Sequence, residues 1–338
     1  MREILEKMKE CLQGGRDTAL VSVIAGSGST PRGSGARMLV MEDKSSIGTI
    51  GGGNVEYMAQ KMAADVLAKR VSFSRGYHLV PNQAADLGMV CGGDVTVYFQ
   101  FISGGNEDML TLCLALLAQL DLDEDSWIIT DITDETAWSM GMYSQSKGLV
   151  GLTIDGELDP LLGTKGLQAT VGGRRYYSEP LVQAGTVYVF GGGHVAQETV
   201  PVLAHLGFRC VVLDDREDFA TPALFPDAVE TILCDFGKLA DHVSLTSRDY
   251  AVVMSRGHLS DYVIERQLLR GEAGYIGVMG SRKKTASINA KLYAEGFTEE
   301  DTARIHTPIG LKIGAETPAE IAISVAAEMI MVRAARRE

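Results

Sequence analysis

Val187-Tyr188-Val189-Phe190-Gly191-Gly192-Gly193-His194-Val195-Ala196 decides the fold of the second half of the chain. Four apolar residues suited to a buried strand run straight into G-x-G-x-x-A. In that pattern the first glycine permits a tight turn and the second lets backbone approach a pyrophosphate. The alanine lets the following helix pack closely on the strand. A helix N-terminus at this point presents unpaired N–H groups and a partial positive charge to an anion. Asp214 and Asp215 close the next strand, 23 positions after Gly191, where an acidic side chain can bind a ribose hydroxyl. His194 reads as a ligand contact or a solvent-exposed side chain. The helix is expected to reach about His205, and Pro201 inside it removes one hydrogen bond and predicts a kink.

Working outward, apolar strands are expected at 209–213, 229–233, 250–254 and 275–278, with helices between or after most of them. Strand and helix alternating at this spacing give a parallel sheet covered on both faces. The second half is therefore read as a Rossmann-like, doubly wound α/β domain. Two more loops leave the same edge of that sheet: Ser255-Arg256-Gly257-His258 and Gly280-Ser281-Arg282-Lys283-Lys284. Ligands of such sheets bind beyond the carboxyl ends of the strands. Glycine, serine and cations there, just before a helix, point to a phosphate-bearing ligand held by Arg256, His258, Ser281, Arg282 and Lys283.

The first half has a different texture, with short strands separated by glycine loops. Strands are expected at 18–24, 36–41, 46–50, 73–80, 95–102, 127–132, 137–142 and 149–154. Helices are expected at 54–69, with Val55, Met58, Ala59, Met62 and Val66 on one face, and at 110–120. This is an α+β domain, and the boundary is drawn to give 1–182 and 183–338. Three of its loops are candidates for ligand contact. Residues 26–35 carry Ser29, Thr30 and Arg32 among four glycines, a set that can present hydroxyls and N–H groups to an anion. Residues 48–56 carry Gly51, Gly52 and Gly53 and open a helix. Residues 86–94 carry Cys91.

Five cysteines, at 11, 91, 113, 210 and 234, include no Cys-x-x-Cys pair. Cys113 and Cys210 sit in apolar segments and act as small hydrophobes. Cys91 stands out because a thiolate in a glycine-rich loop can be a nucleophile, a sulfur carrier or a ligand for a soft metal.

Composition narrows the function classes. At 338 residues the chain is long enough for two domains, and its 46% hydrophobic and 22% charged residues are those of a folded protein. A net charge of −13 disfavours binding to nucleic acid or anionic lipid. The most apolar helical run, 109–120, is too short for the roughly 20 residues a membrane span needs. The charged opening Met1-Arg2-Glu3-Ile4-Leu5-Glu6 does not read as a signal peptide. The chain is therefore read as cytoplasmic, and base rates favour a symmetric homodimer.

Taken in order, these motifs resemble the XdhC/CoxI family of xanthine dehydrogenase accessory proteins. The matching pieces in the first half are Gly28-Ser29-Thr30-Pro31-Arg32-Gly33, Gly35-Ala36-Arg37-Met38-Leu39-Val40, Gly48-Thr49-Ile50-Gly51-Gly52-Gly53 with Glu56, and Gly88-Met89-Val90-Cys91-Gly92-Gly93. In the second half they are the glycine turn, Asp214-Asp215-Arg216, Ser255-Arg256-Gly257-His258, Gly280-Ser281-Arg282-Lys283, Pro308-Ile309-Gly310-Leu311 and Thr317-Pro318-Ala319-Glu320-Ile321-Ala322. The resemblance implies a protein that binds molybdenum cofactor (molybdopterin), protects it during sulfuration and delivers it to a molybdenum hydroxylase. The implied partners are the apo form of a xanthine dehydrogenase-like enzyme and a cysteine desulfurase. Cofactor contacts are then expected from Ser29, Thr30, Arg32, Gly51, Gly52, Gly53, Glu56 and Cys91 in the first half. Gly191, Gly193, His194, Asp214 and the cationic loops supply those of the second, with Cys91 near the metal. The alternative is an NAD(P)-dependent oxidoreductase acting on a small carbonyl or hydroxy substrate, supported by the glycine turn and Asp214.

Overall fold

Ile4, Leu5, Met8, Cys11 and Leu12 recur at helical spacing and are all buried, which makes Arg2–Gln13 (α1) an amphipathic helix laid on a sheet. The computed structural model describes residues 1–28, 35–79, 93–134, 136–183 and 185–336. These divide into two units, Met1–Gln183 and Ala184–Glu338.

The first unit contains two antiparallel sheets. One comprises Thr18–Gly28 (β1), Arg37–Met41 (β2), Ser46–Gly48 (β3), Phe73–Leu79 (β4) and Gly93–Ile102 (β5), in the order β3-β2-β1-β5-β4. Gly53–Lys69 (α2) lies between β3 and β4 in the chain, and Glu107–Gln119 (α3) follows β5. The other sheet comprises Ser126–Asp131 (β6), Ser139–Ser144 (β7), Gly148–Val150 (β8), Leu167–Val171 (β9) and Arg174–Val182 (β10), in the order β8-β7-β6-β10-β9.

Side-chain alternation sorts the layers. Ala19, Val21 and Val23 of β1 pack with Ala59, Ala63 and Val66 of α2, while Leu20 faces α1 and α3. Ile128, Met140 and Met142 of the second sheet join that same α1–α3 cluster. The two sheets are also tied by a buried ion pair. Arg37 of β2 meets Glu179 of β10, both side chains are buried, and Tyr177 Oη donates to Glu179 Oε2 at 2.7 Å.

The expected strands and helices of this half are largely present, with four differences. Met58 is exposed on α2 and Ala63 takes its place on the buried face, because the stripe runs 59-63-66. The strand expected at 149–154 stops at Val150, and that at 46–50 stops at Gly48. The strand expected from 137 begins at Ser139. The expectations also lacked α1, β9 and β10.

In the second unit Thr186–Phe190 (β11), Arg209–Asp214 (β12), Glu230–Leu233 (β13), Tyr250–Val253 (β14), Tyr275–Val278 (β15) and Ile305–His306 (β16) form one parallel sheet. Its order is β13-β12-β11-β14-β15-β16. The helices are His194–His205 (α4), His258–Leu269 (α5), Arg282–Ala294 (α6), Glu299–Ala303 (α7) and Pro318–Ala335 (α8). Alternation again divides the strands. Val187, Val189, Cys210, Val212, Tyr250 and Val252 pack under α4 and α8, whereas Phe190, Val211, Leu213, Ala251 and Val253 pack under α5 and α6. Helices on both faces make this a doubly wound Rossmann domain, and β11 and β14 flank the point where the strand order reverses. Helix α4 runs through Pro201 without ending. No helix of the described residues is long and apolar enough to cross a membrane.

Candidate functional site

The carboxyl ends of β11, β12, β14 and β15 deliver the expected loops to one edge of the sheet. Gly191 has φ +115°, and a Cβ there would stand 2.6 Å from the Met254 carbonyl oxygen, so only glycine makes this turn beside β14. Gly192 is equally confined, since its Cβ would meet the Phe219 carbonyl oxygen at 2.1 Å. Gly193 caps α4 without any side-chain cap, and among the described residues nothing apart from its own chain neighbours lies within 4 Å of where its Cβ would be. The helix thus opens toward solvent at Gly193 and the exposed His194. Gly192→Ala is expected to lose about 1–3 kcal/mol of stability through overpacking. Gly193→Ala is expected to stay within about 0.5 kcal/mol of wild type. Chemical denaturation of the full chain separates the two.

Asp214 is turned inward, with 1% of its surface exposed. Its oxygens accept from Gly192 N at 2.7 Å, from Arg216 N at 3.0 Å, and from Arg216 Nε and Nη2 at 2.8 Å each. Burial alone would raise its carboxyl, but the Arg216 guanidinium and the Gly192 amide hold it below the usual carboxylate range. Asp214 therefore fastens the glycine turn to β12. The exposed acid at this strand end is Asp215.

A concentration of anion-binding chemistry lies one crossover along, beyond β14 and β15. A pocket of about 470 Å³ is lined by Arg256 and Gly257 from the β14 loop and by Ser281, Lys283, Lys284, Ser287, Ile288 and Lys291 from α6 and its cap. Gly257 is the N-cap of α5, and Ser281 is the N-cap of α6, its hydroxyl accepting from Lys284 N at 3.3 Å. Two helix N-termini therefore meet at one pocket. Arg282, Lys283 and Lys284 occupy the first turn of α6, where the helix dipole already presents positive charge. Cations at that end oppose helix stability, and the arrangement makes physical sense as a seat for a multiply charged anion.

Of the residues singled out from sequence, the structure brings Arg256, Ser281 and Lys283 together around this pocket. Gly191, Gly193 and His194 lie at the neighbouring turn. The backbones of His258 and Arg282 are the first helical residues of α5 and α6, while their side chains lie outside the described residues. Ser287 and Lys291 were missed, and Lys284 was seen in its loop without being given a contact. Spacing could have found them, because 284, 287, 288 and 291 follow i, i+3, i+4, i+7 on one helical face.

In the first unit Glu56 caps the second glycine loop from within. Its Oε2 accepts from Thr49 Oγ1, and from the amides of Ile50 and Gly52 at 3.0 Å each. Burial pushes its carboxyl up, and these bonds more than reverse that. Gly51, Gly52 and Gly53 all take positive φ in this turn. Ser29, Thr30, Arg32 and Cys91 lie outside the described residues. The other four cysteines are buried free thiols. Burial pushes the Cys113 and Cys234 thiols up to about 11 and that of Cys210 up to about 12, so they behave as apolar packing. Among the described residues no group of three or more histidines, cysteines or acids is placed to hold a metal ion.

Comparison with known proteins adds a family. Residues 187–329 match the model of the XdhC Rossmann domain, and residues 11–75 match that of the XdhC and CoxI family, together more than half of the chain. The chain is 25% identical over 316 residues to Uncharacterized protein YqeB of Escherichia coli (strain K12), covering 93% of this chain and 43% of that one. It is 33% identical over 145 residues to a probable xanthine dehydrogenase subunit of Bacillus subtilis (strain 168), covering 43% of this chain and 42% of that one. The chain thus spans less than half the length of these two relatives. Molybdenum cofactor insertion chaperone PaoD of Escherichia coli (strain K12) aligns at 22% identity over 100% of this chain and 90% of its own. A crystal structure from Bacillus halodurans, described as a xanthine dehydrogenase, superposes with a TM-score of 0.80. It covers 99% of this chain and 96% of that one at 21% identity, a likeness of fold.

Proposed function

Because the chain belongs to the XdhC and CoxI family, we propose that it is an accessory protein of molybdenum hydroxylase maturation. In this reading it takes up molybdenum cofactor as cargo, holds it while the metal centre is sulfurated, and hands it to the apo form of a xanthine dehydrogenase-type enzyme. The observation that carries the reading is the pocket where two helix N-termini and four cations converge in a chain of net charge −13. The cofactor is a phosphate-bearing pterin, and such a pocket fits its anionic end. The name of the relative aligned along the whole chain, a molybdenum cofactor insertion chaperone, supports the same assignment.

Within this proposal Arg256, Lys283 and Lys291 neutralise the phosphate, while the first amides of α5 and α6 supply directional hydrogen bonds. The turn at Gly193 and His194 borders a second anion position on the same edge. In the first unit Ser29, Thr30, Arg32 and Cys91 are candidates for cofactor contact on hydroxyl, guanidinium and thiol chemistry. Unchanged cofactor affinity and unchanged delivery in Cys91→Ala would remove that cysteine from the account. A cysteine desulfurase is the proposed sulfur donor, and a homodimer the proposed assembly.

The test is reconstitution of an apo molybdenum hydroxylase with molybdenum cofactor, with and without this protein. The proposal expects faster and more complete recovery of hydroxylase activity when the protein is present. Recovery that is the same with and without it would overturn the delivery role.

A further inference from the structure

Beneath the cationic pocket lies a pair of acids that phosphate binding does not explain. Asp261 is in the first turn of α5 and fully buried, and Glu265 follows one turn later with 3% of its surface exposed. Asp261 is well partnered: Ser255 Oγ donates to Oδ1, and Lys284 Nζ is ion-paired with Oδ2. Lys284 also donates to the Met279 carbonyl at 3.0 Å, which fixes its ammonium between the pocket and the acids. Glu265 differs, since its buried Oε1 has no hydrogen-bond partner among the described residues.

We propose that the pocket takes up its anion together with a proton, and that Glu265 is the group that receives it. This rests on the pocket being the anion site. With Glu265 neutral, Lys284 balances Asp261, and Arg256, Lys283 and Lys291 act on the ligand unopposed. With Glu265 ionised, a second carboxylate competes for Lys284, and the floor of the pocket carries one more negative charge. An incoming dianion therefore favours the protonated acid, and by linkage a proton is drawn from solvent as the anion binds.

The charge environment of Glu265 fits this role. The charged groups facing it are Asp261 on its own helix and Lys284 from α6. Strand β14 offers only the apolar Ala251 and Val253 on the face that packs under α5, and the segment Phe236–Asp241 offers Lys238 and Asp241, both exposed. Burial and the neighbouring Asp261 push the Glu265 carboxyl up to about 7, against the pull of Lys284. The acid thus changes state within the neutral range.

Sulfate is the appropriate probe, because it remains a dianion through the neutral range and contributes no titration of its own. Calorimetric titration of the full chain with sulfate is compared between pH 6 and pH 9 and between buffers of different ionisation enthalpy. If binding moves the Glu265 pKa by about one unit, affinity falls roughly tenfold over that range. About half a proton is then taken up per anion near pH 7.5. Glu265→Gln is expected to bind with little dependence on pH and with no proton uptake.

His258, the first residue of α5, is a second ionisable residue on this edge of the sheet, so His258→Gln is the control. Its pH dependence should persist whatever its affinity. Loss of the dependence in His258→Gln and its retention in Glu265→Gln would overturn the assignment. Sulfate binding that is independent of pH in the wild type, with no buffer-dependent heat, would overturn the proton linkage and leave the anion pocket standing. Failure of sulfate to bind at any pH would overturn both.

Discussion

Replacing Arg256 and Lys283 together by alanine is expected to weaken binding of molybdenum cofactor by about 100-fold. A hydrogen bond to a charged group contributes about 1.5–3 kcal/mol. Both side chains are exposed, so solvent screening places each at the low end of that range. Because neither packs in the core, the double variant should fold. It should in fact be slightly more stable, since Lys283 sits in the first turn of α6, where a cation opposes the helix dipole by about 0.3–1 kcal/mol. A gain in melting temperature accompanied by a loss of cofactor affinity is the signature of charge placed for a ligand. The same binding should weaken with added salt in wild type, and less so in the variant. Equal affinity in the two proteins would mean that the pocket does not hold the cofactor.

Glu179→Ala is expected to cost about 3–5 kcal/mol of stability, more than either glycine substitution at the Rossmann turn. The variant would leave the Arg37 guanidinium buried without its carboxylate, in a site shared by β2 and β10. It would also remove the acceptor of Tyr177 Oη. The double variant Arg37→Met/Glu179→Leu should recover most of the loss, because a buried ion pair can often be replaced by apolar residues of similar size at little cost. Denaturant titration of the wild type and both variants checks this. A loss below about 1 kcal/mol in Glu179→Ala would show that the ion pair does not hold the two sheets of the first unit together.

The Rossmann half was legible because three signals coincide there. Apolar strands of four to six residues alternate with helices, the glycine turn has an obligatory geometry, and the cationic loops fall at strand ends. Which strand residue packs under which helical layer came only with the structure, because strands buried on both faces are apolar throughout. The first half was less legible, since glycine-rich loops suppress periodicity, β9 is short and mixed in polarity, and β10 mixes tyrosine, arginine and apolar residues. Buried positions such as Arg37 and Glu179 carry no sequence mark, because a buried pair is recognisable only once its partner is known.

The site shows the same limit. Asp214 looked like a ribose ligand by spacing, yet both of its oxygens are committed to Gly192 and Arg216. The acid at this place serves the turn itself, which spacing alone cannot distinguish from serving a ligand. Glu56 is a second case, a carboxylate consumed by Thr49, Ile50 and Gly52 of its own loop. Conversely, Lys291 belongs to the pocket although it lies beyond the loop read from sequence, because it follows Lys284 by seven residues and a helix returns every seventh residue to nearly the same face.

Direct titration of the full chain with molybdenum cofactor, and with NADH in parallel, tests the central claim most directly. The account predicts saturable cofactor binding that is lost in the Arg256→Ala/Lys283→Ala variant, with NADH bound weakly or not at all. Tight NADH binding without cofactor binding would contradict it, and would favour an NAD(P)-dependent oxidoreductase built on the same glycine turn.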